Sequence, residues 1–379
     1  MAKVKLLPLL LALVPLLSCL SDGVDESKSG SEVPVVLIHG FLGFGSDAIF
    51  DLPYWGGSVD LAGELRDRGF RVHAARVGPI SSNWDRACEL YAFIKGGRVD
   101  YGEAHSTKAG HGRYGRYYPG VFPEWGEIDP RTGESKQVHL FGHSMGGQTA
   151  RLLVQLLEHG DEAERQRSGR EASFLFAGGK DWVKSVTTVA TPHDGTTLVG
   201  RFRNPSIFRK ITAQLLLLSS LRKEEPFLDL QLEHWQEGLP EGESLEDYIQ
   251  RRIHRGDWME VRDLAYWDLS PQGAAQLNRR AAASEKVYYF SWATSRTIPN
   301  GEGSAHVPER GMSLALKPAA RYMGSRTDLP AICGRDPSVW WENDGVVNTV
   351  SMRGPGIWSD DEIVTGSWDR DLRRGVWNY

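Results

Sequence analysis

From residue 33 onward, short β-branched apolar runs alternate with stretches whose apolar residues recur at helical spacing. The clearest strand patterns lie at 33–38, 71–75, 137–141, 183–190 and 287–293. The clearest helical patterns lie at 60–68, 84–94 and 148–159. Strand–helix–strand alternation predicts an α/β fold, with a mostly parallel sheet covered by helices on both faces. Two regions depart from the alternation. Residues 98–130 are rich in Gly, Tyr, His and Pro and read as an ordered insertion. Residues 201–235 carry an apolar stripe (Ile207, Phe208, Ile211, Leu215, Leu218) that fits either a helical lid or a buried helix.

The first 32 residues follow a different pattern. Lys3 and Lys5 precede an apolar run over 6–17, too short to span a bilayer and arranged as in a secretory signal peptide over 1–19. Leu16-Leu17-Ser18-Cys19 also looks like a lipoprotein cleavage box, which keeps lipid anchoring through Cys19 as a minor alternative. Residues 20–32 are rich in Ser, Gly and acids and read as a flexible linker to one domain over 33–379.

Charge narrows the function classes. The 379 residues hold 44 Lys+Arg against 49 Asp+Glu, a net charge of −5. A basic face is the usual footprint of nucleic-acid binding, so that class is not expected. Three cysteines (Cys19, Cys88, Cys333) are too few for a disulfide-built scaffold. In an oxidising compartment Cys88 and Cys333 could pair, or both could be buried thiols.

Chemistry starts at Gly142-His143-Ser144-Met145-Gly146. In so glycine-rich a chain a bare G-x-S-x-G is a weak signal. Its context is stronger: an apolar run leads in through Phe141, and a helical pattern leads out through Val154. That is the strand–turn–helix of a nucleophile elbow, with Ser144 at a helix N-terminus. The Met145 amide would be one oxyanion donor, and the Phe41 amide, in the loop after the strand at 33–38, the second. His39 reads as a strut of that loop. The triad order of this fold is Ser, acid, His, and Asp344 is the natural acid, with Glu342 a lesser rival. The last histidine in the sequence is His306, before Asp344. His193 follows the strand after the elbow helix, which is the wrong place for the base.

The segments around Ser144 and Asp344, with Thr191-Pro192-His193-Asp194-Gly195-Thr196-Thr197 and Ser81-Ser82-Asn83-Trp84-Asp85-Arg86-Ala87-Cys88-Glu89, resemble the staphylococcal and thermostable bacillus lipases. The resemblance runs from about residue 33 to 378. It implies a secreted α/β-hydrolase cleaving triacylglycerol and other carboxylic esters, with a helical lid and a bound zinc. It gives Ser144 the nucleophile's part, Asp344 the acid's, and Phe41 and Met145 the oxyanion amides. It also implies a catalytic histidine about ten residues beyond Asn378, so the chain as written is expected to hydrolyse esters poorly.

A bare H-x5-H, here His105 and His111, reads first as a pair of surface imidazoles. The resemblance implies more: Asp85, His105, His111 and Asp268 match the family's zinc ligands. Four ligands with no open position would make that zinc structural. Of the family's calcium ligands only Gly311 has a counterpart, so calcium is not expected. The expectation is therefore a carboxylic ester hydrolase, most of all a triacylglycerol lipase, working at an oil–water interface without a protein partner. The alternative from another class is a non-catalytic secreted zinc- and lipid-binding relative.

Overall fold

The computed structural model describes residues 33–44, 54–56, 60–199, 231, 234–235, 262–301, 305–327, 336–366 and 372–379. The N-terminal leader, the linker, Cys333 and the apolar stripe at Ile207–Leu218 lie outside the described residues.

Eleven strands occur among the described residues. They are β1 (Val35–Ile38), β2 (Val72–Ala74), β3 (Gly97–Asp100), β4 (Tyr114–Tyr118), β5 (Val138–His143) and β6 (Val183–Val189). Then follow β7 (Tyr288–Trp292), β8 (Thr297–Pro299), β9 (His306–Pro308), β10 (Ile363–Val364) and β11 (Trp377–Asn378). The helices are α1 (Leu61–Asp67), α2 (Asn83–Lys95), α3 (Glu103–Ala109), α4 (Met145–His159) and α5 (Glu162–Ser168). After them come α6 (Ala265–Asp268), α7 (Pro271–Arg280) and α8 (Lys317–Met323).

Seven strands form one sheet in the order β10-β11-β7-β6-β5-β1-β2, and every pairing in it is parallel. The buried run Val35-Val36-Leu37-Ile38 explains why β1 sits inside it, covered on both faces. Side chains alternate across a strand, so Val36 and Ile38 join the core under α2 and α4, with Leu90, Leu153 and Trp377. Val35 and Leu37 join the opposite core, with Trp55, Leu65 and Phe141.

Winding direction positions the site. From β1 the chain winds outward to β2, then returns to β5 on the other side of β1 and proceeds to β6 and β7. Adjacent β1 and β5 therefore send their following loops in opposite directions, which opens a crevice at their carboxyl ends, the usual ligand position in open α/β sheets. His39–Phe41 follow β1 there, and Ser144 follows β5.

Residues 98–130 stand apart from the main sheet. β3 and β4 pair antiparallel as a two-stranded sheet, with a register irregularity between Arg98 and Asp100. Between them, α3 is held by the Glu164 carboxylate, which accepts the Ala104 N–H at 3.0 Å and the His105 N–H at 2.7 Å. Cys88 is a buried free thiol. No helix among the described residues is long and apolar enough to cross a membrane.

Candidate functional site

β5 ends at His143 and α4 begins at Met145, so Ser144 alone makes the turn from strand to helix. Its φ of 54° and ψ of −129° lie in a region that a residue with a β-carbon rarely adopts. Hydrogen bonds from neighbouring segments enforce the turn. Ser144 N–H donates to Val189 O at 2.9 Å, and the Thr191 hydroxyl donates to Ser144 O at 2.8 Å.

The glycines around Ser144 are required by space. A β-carbon on Gly146 would lie 2.1 Å from Ile38 O, and one on Gly142 would lie 2.4 Å from Gly147 N. One on Gly40 would lie 2.7 Å from Ser144 Cβ and 3.1 Å from Ser144 Oγ, so the loop after β1 passes directly against the hydroxyl. Among the described residues, neither the Phe41 nor the Met145 N–H has a hydrogen-bond acceptor. The Met145 amide is the first of α4, where intrahelical acceptors do not exist. Such amides can receive a developing oxyanion.

The loop after β1 is pinned from several sides. Gly40 N–H donates to Tyr54 Oη at 2.8 Å, and Leu42 N–H to Pro79 O at 2.8 Å. Arg86, itself buried, donates to His39 O at 2.5 Å, to Gly78 O at 2.7 Å and to Thr149 Oγ1 at 3.0 Å. Tyr54 Oη also lies 2.5 Å from His143 Nδ1. Burial pushes the Tyr54 hydroxyl up to about 12, so it stays protonated and donates to that nitrogen. Burial also lowers the His143 imidazole from its ordinary value, with the charge of Asp344 opposing. His143 is thus a neutral acceptor with its Nδ1 lone pair engaged. His39 is neutral too, lowered to about 3 by burial and by Arg86.

Asp344 is oriented by three donors. Its Oδ1 accepts the Val346 and Val347 N–H groups, both at 2.8 Å, and its Oδ2 accepts the Thr294 hydroxyl at 2.8 Å. Of the chain's histidines all but His254 are described, and none of those bonds Ser144 Oγ. His193 is sealed in the core, with Nε2 3.1 Å from Thr188 Oγ1 and its ring 4.5 Å from that of Trp377. Burial, with Arg151 nearby, holds it well below the usual imidazole range.

A second constellation forms where α2 meets the β3–β4 region. Asp85, His105, His111 and Asp263 place one donor atom each within 4.8 Å of one another, and this group could hold a metal ion. His105 Nε2 lies 3.2 Å from Asp85 Oδ1 and 3.1 Å from Asp263 Oδ1; His111 Nε2 lies 3.0 Å from Asp263 Oδ2. Tetrahedral ligands at about 2.0–2.2 Å from a common ion stand at similar mutual distances.

The chemistry of these donors fits a cation. Both Asp85 oxygens, Asp263 Oδ2 and the two imidazole Nε2 atoms are buried without a hydrogen bond. His111 Nδ1 lies 2.8 Å from Gly112 O, so it carries the proton and leaves Nε2 as the free lone pair. In the absence of a cation the four groups pair with each other. Burial disfavours a charged His105, but Asp263 and Asp85 hold it up at about 10. Burial likewise opposes ionised Asp85 and Asp263, and the imidazoles nevertheless keep both below the carboxylate range. The Trp84 ring stacks on His105 with centroids 5.0 Å apart. A cavity of about 380 Å³, lined by Trp84, His105, Asp263, Asp268 and Arg280 among others, reaches the cluster from outside.

The fourth place belongs to Asp263, which corrects the expectation of Asp268. Residues 264 and 265 lie beside the approach to α2, through the Ser81↔Leu264 bridge and the Ala265 N–H to Ile80 O bond of 3.0 Å. That pairing brings Asp263 to Asp85. Asp268 lies at the end of α6, where its Oδ2 accepts the Asn83 N–H at 2.5 Å, and burial raises its carboxyl to about 7. One further group was not foreseen: His234, buried, with Nε2 3.3 Å from Asp85 Oδ2. Neither Asp263 nor His234 has a telling spacing to the other donors, so only the folded chain reveals them.

Comparison with known proteins identifies the family and the fold. Residues 31–379 match the family model described as "Lipase-like, C-terminal domain". The lipase of Staphylococcus hyicus is 37% identical over 350 residues, covering 91% of this chain and 51% of that protein. The chain spans about half the length of the curated relatives it matches. Lipase 1 from Pelosinus fermentans is similar in structure with a TM-score of 0.77 and 46% identity, covering 91% of this chain and 89% of that one. The Staphylococcus hyicus lipase structure gives a TM-score of 0.78 at 35% identity, covering 94% and 87%. The fold is that of these α/β-hydrolases, and the chain belongs to the lipase-like, C-terminal domain family.

Proposed function

We propose that the protein is a secreted carboxylic ester hydrolase acting on triacylglycerols at an oil–water interface, with Ser144 as nucleophile. The observation that carries this reading is the strained turn at Ser144, set between β5 and α4 and beside the loop at Gly40, with the Phe41 and Met145 amides lacking acceptors among the described residues. Ser144 Oγ attacks the ester carbonyl while a histidine takes its proton. The Phe41 and Met145 N–H groups hold the oxyanion. The leaving alcohol receives the proton, and water then releases the acid from acyl-Ser144. Asp344 orients the histidine, which is not among the described residues.

Asp85, His105, His111 and Asp263 would hold zinc. Four protein ligands would close a tetrahedral shell, so a bound ion would contribute fold stability by tying α2, α3 and the residues before α6 together. Residues 1–19 act as the export signal.

The test is fatty-acid release from a triacylglycerol emulsion by the protein as its gene encodes it, with Asp344→Asn as comparison. Interfacial hydrolysis that falls by orders of magnitude in the variant supports the reading. A protein that binds zinc stoichiometrically and takes up lipid without any turnover would contradict it in favour of a binding role.

A further inference from the structure

His234 lies far in sequence from the groups it meets. It is fully buried, and neither ring nitrogen makes a hydrogen bond. A buried polar group without a partner is costly, and Nε2 faces a charged atom that would satisfy it. That atom is Asp85 Oδ2 at 3.3 Å, whereas Oδ1 of the same carboxylate faces His105 and His111 at 3.2 and 3.8 Å. The carboxylate is thus addressed differently on its two oxygens. Oδ1 makes the contacts to the imidazoles of the ligand cluster, and Oδ2 makes the contact to His234.

Backbone and ring contacts keep His234 in that position. Its carbonyl accepts the Gly112 N–H at 2.7 Å, directly beside His111. Its ring lies 4.4 Å from the Tyr101 ring and 4.8 Å from the His111 ring, and the next residue, Trp235, packs on His111 at 5.0 Å. Gln231 Oε1 accepts the Tyr118 hydroxyl of β4 at 2.9 Å.

We propose that His234 is a positioning residue of the metal site: its Nε2–H donates to Asp85 Oδ2, holds Asp85 as a one-oxygen ligand, and ties residues 234 and 235 to the bound cation. A hydrogen bond to the distal oxygen of a ligating carboxylate fixes its rotamer, and loss of such an outer partner lowers metal affinity by about 10–100-fold. These two residues in turn become metal-dependent, because their anchor is a ligand's second oxygen. The inference rests on the zinc reading above.

The experiment measures zinc transfer from the purified, zinc-loaded protein to a chromogenic chelator, for the wild type, His234→Ala and His234→Gln. Protease sensitivity near residue 235 is followed in parallel. Wild type is expected to hold about one zinc per chain. His234→Ala should release it on the order of 10–100-fold faster and be cut faster near residue 235. His234→Gln, which keeps an N–H donor of similar reach, should recover much of the retention. Equal release from all three proteins overturns the role of His234 and leaves the zinc reading intact. A wild type with no bound zinc overturns both. Complete loss of zinc from His234→Gln would make the imidazole a ligand and overturn the positioning role.

Discussion

Asp85 and Arg86 are neighbours on one turn of α2 and serve different sites. Asp85 faces the imidazoles of His105 and His111, while the Arg86 guanidinium reaches the loop after β1 through His39 O and the elbow helix through Thr149 Oγ1. A single helical turn therefore joins the candidate metal cluster to the loop that lies against Ser144. α2 is placed by its own cap, Ser82 Oγ accepting the Asp85 N–H at 3.1 Å.

Arg86→Met should therefore act on both stability and rate. It leaves the His39 and Gly78 carbonyls without their charged donor and removes the guanidinium that interacts with the buried Glu89 carboxyl. Breaking such a buried charge network costs about 3–5 kcal/mol. Urea unfolding should show that loss, and ester kinetics should show kcat falling more than KM changes, because the loop carrying the Phe41 amide is loosened. A variant with wild-type stability would refute the assignment.

Substitution should separate the two aspartates. Asp263→Asn is expected to lose stoichiometric zinc, as is His111→Ala, and neither variant should gain thermal stability when zinc is added. Asp268→Asn should keep its zinc. Its cost is local, about 1–3 kcal/mol, from weakening the acceptor of the Asn83 N–H. Elemental analysis after preparation without chelators decides the matter, and zinc loss from Asp268→Asn with retention in Asp263→Asn would reverse the correction.

Chelation of the wild type should lower its melting temperature, since structural zinc contributes folding free energy directly. Restoring zinc should restore it. An unchanged melting temperature in a protein shown to have lost its metal would remove the structural role.

Gly146→Ala tests the elbow without touching a reacting group. Its methyl would sit 2.1 Å from Ile38 O, so β1 or α4 has to shift. A cost of about 1–3 kcal/mol or more is expected, with a matching fall in kcat as Ser144 is displaced. Unchanged denaturation and activity would contradict the packing described.

Much of this was legible in the sequence. The strands at β1, β5, β6 and β7 stand out because parallel strands buried on both faces are continuous apolar runs. Ser144 stands out because the turn it makes needs glycine at 142 and 146. β10 and β11 were hidden, since two residues each leave no periodicity to read. Asp263 was hidden for a different reason. Resemblance pointed to an aspartate in this neighbourhood, but which one reaches Asp85 depends on the pairing of Leu264 with Ser81, a long-range contact. His111 read as a surface imidazole by spacing alone, whereas its side chain is fully buried.

The central claim is that Ser144 performs the ester chemistry, and the most direct measurement is nitrophenyl-ester hydrolysis by the protein as its gene encodes it, against Ser144→Ala. In a protein that carries the triad histidine the account predicts turnover that falls to the blank in the variant while zinc content and melting temperature stay at wild-type values, since the change removes one hydroxyl oxygen and no packing. Hydrolysis that persists at the wild-type rate in Ser144→Ala would contradict it.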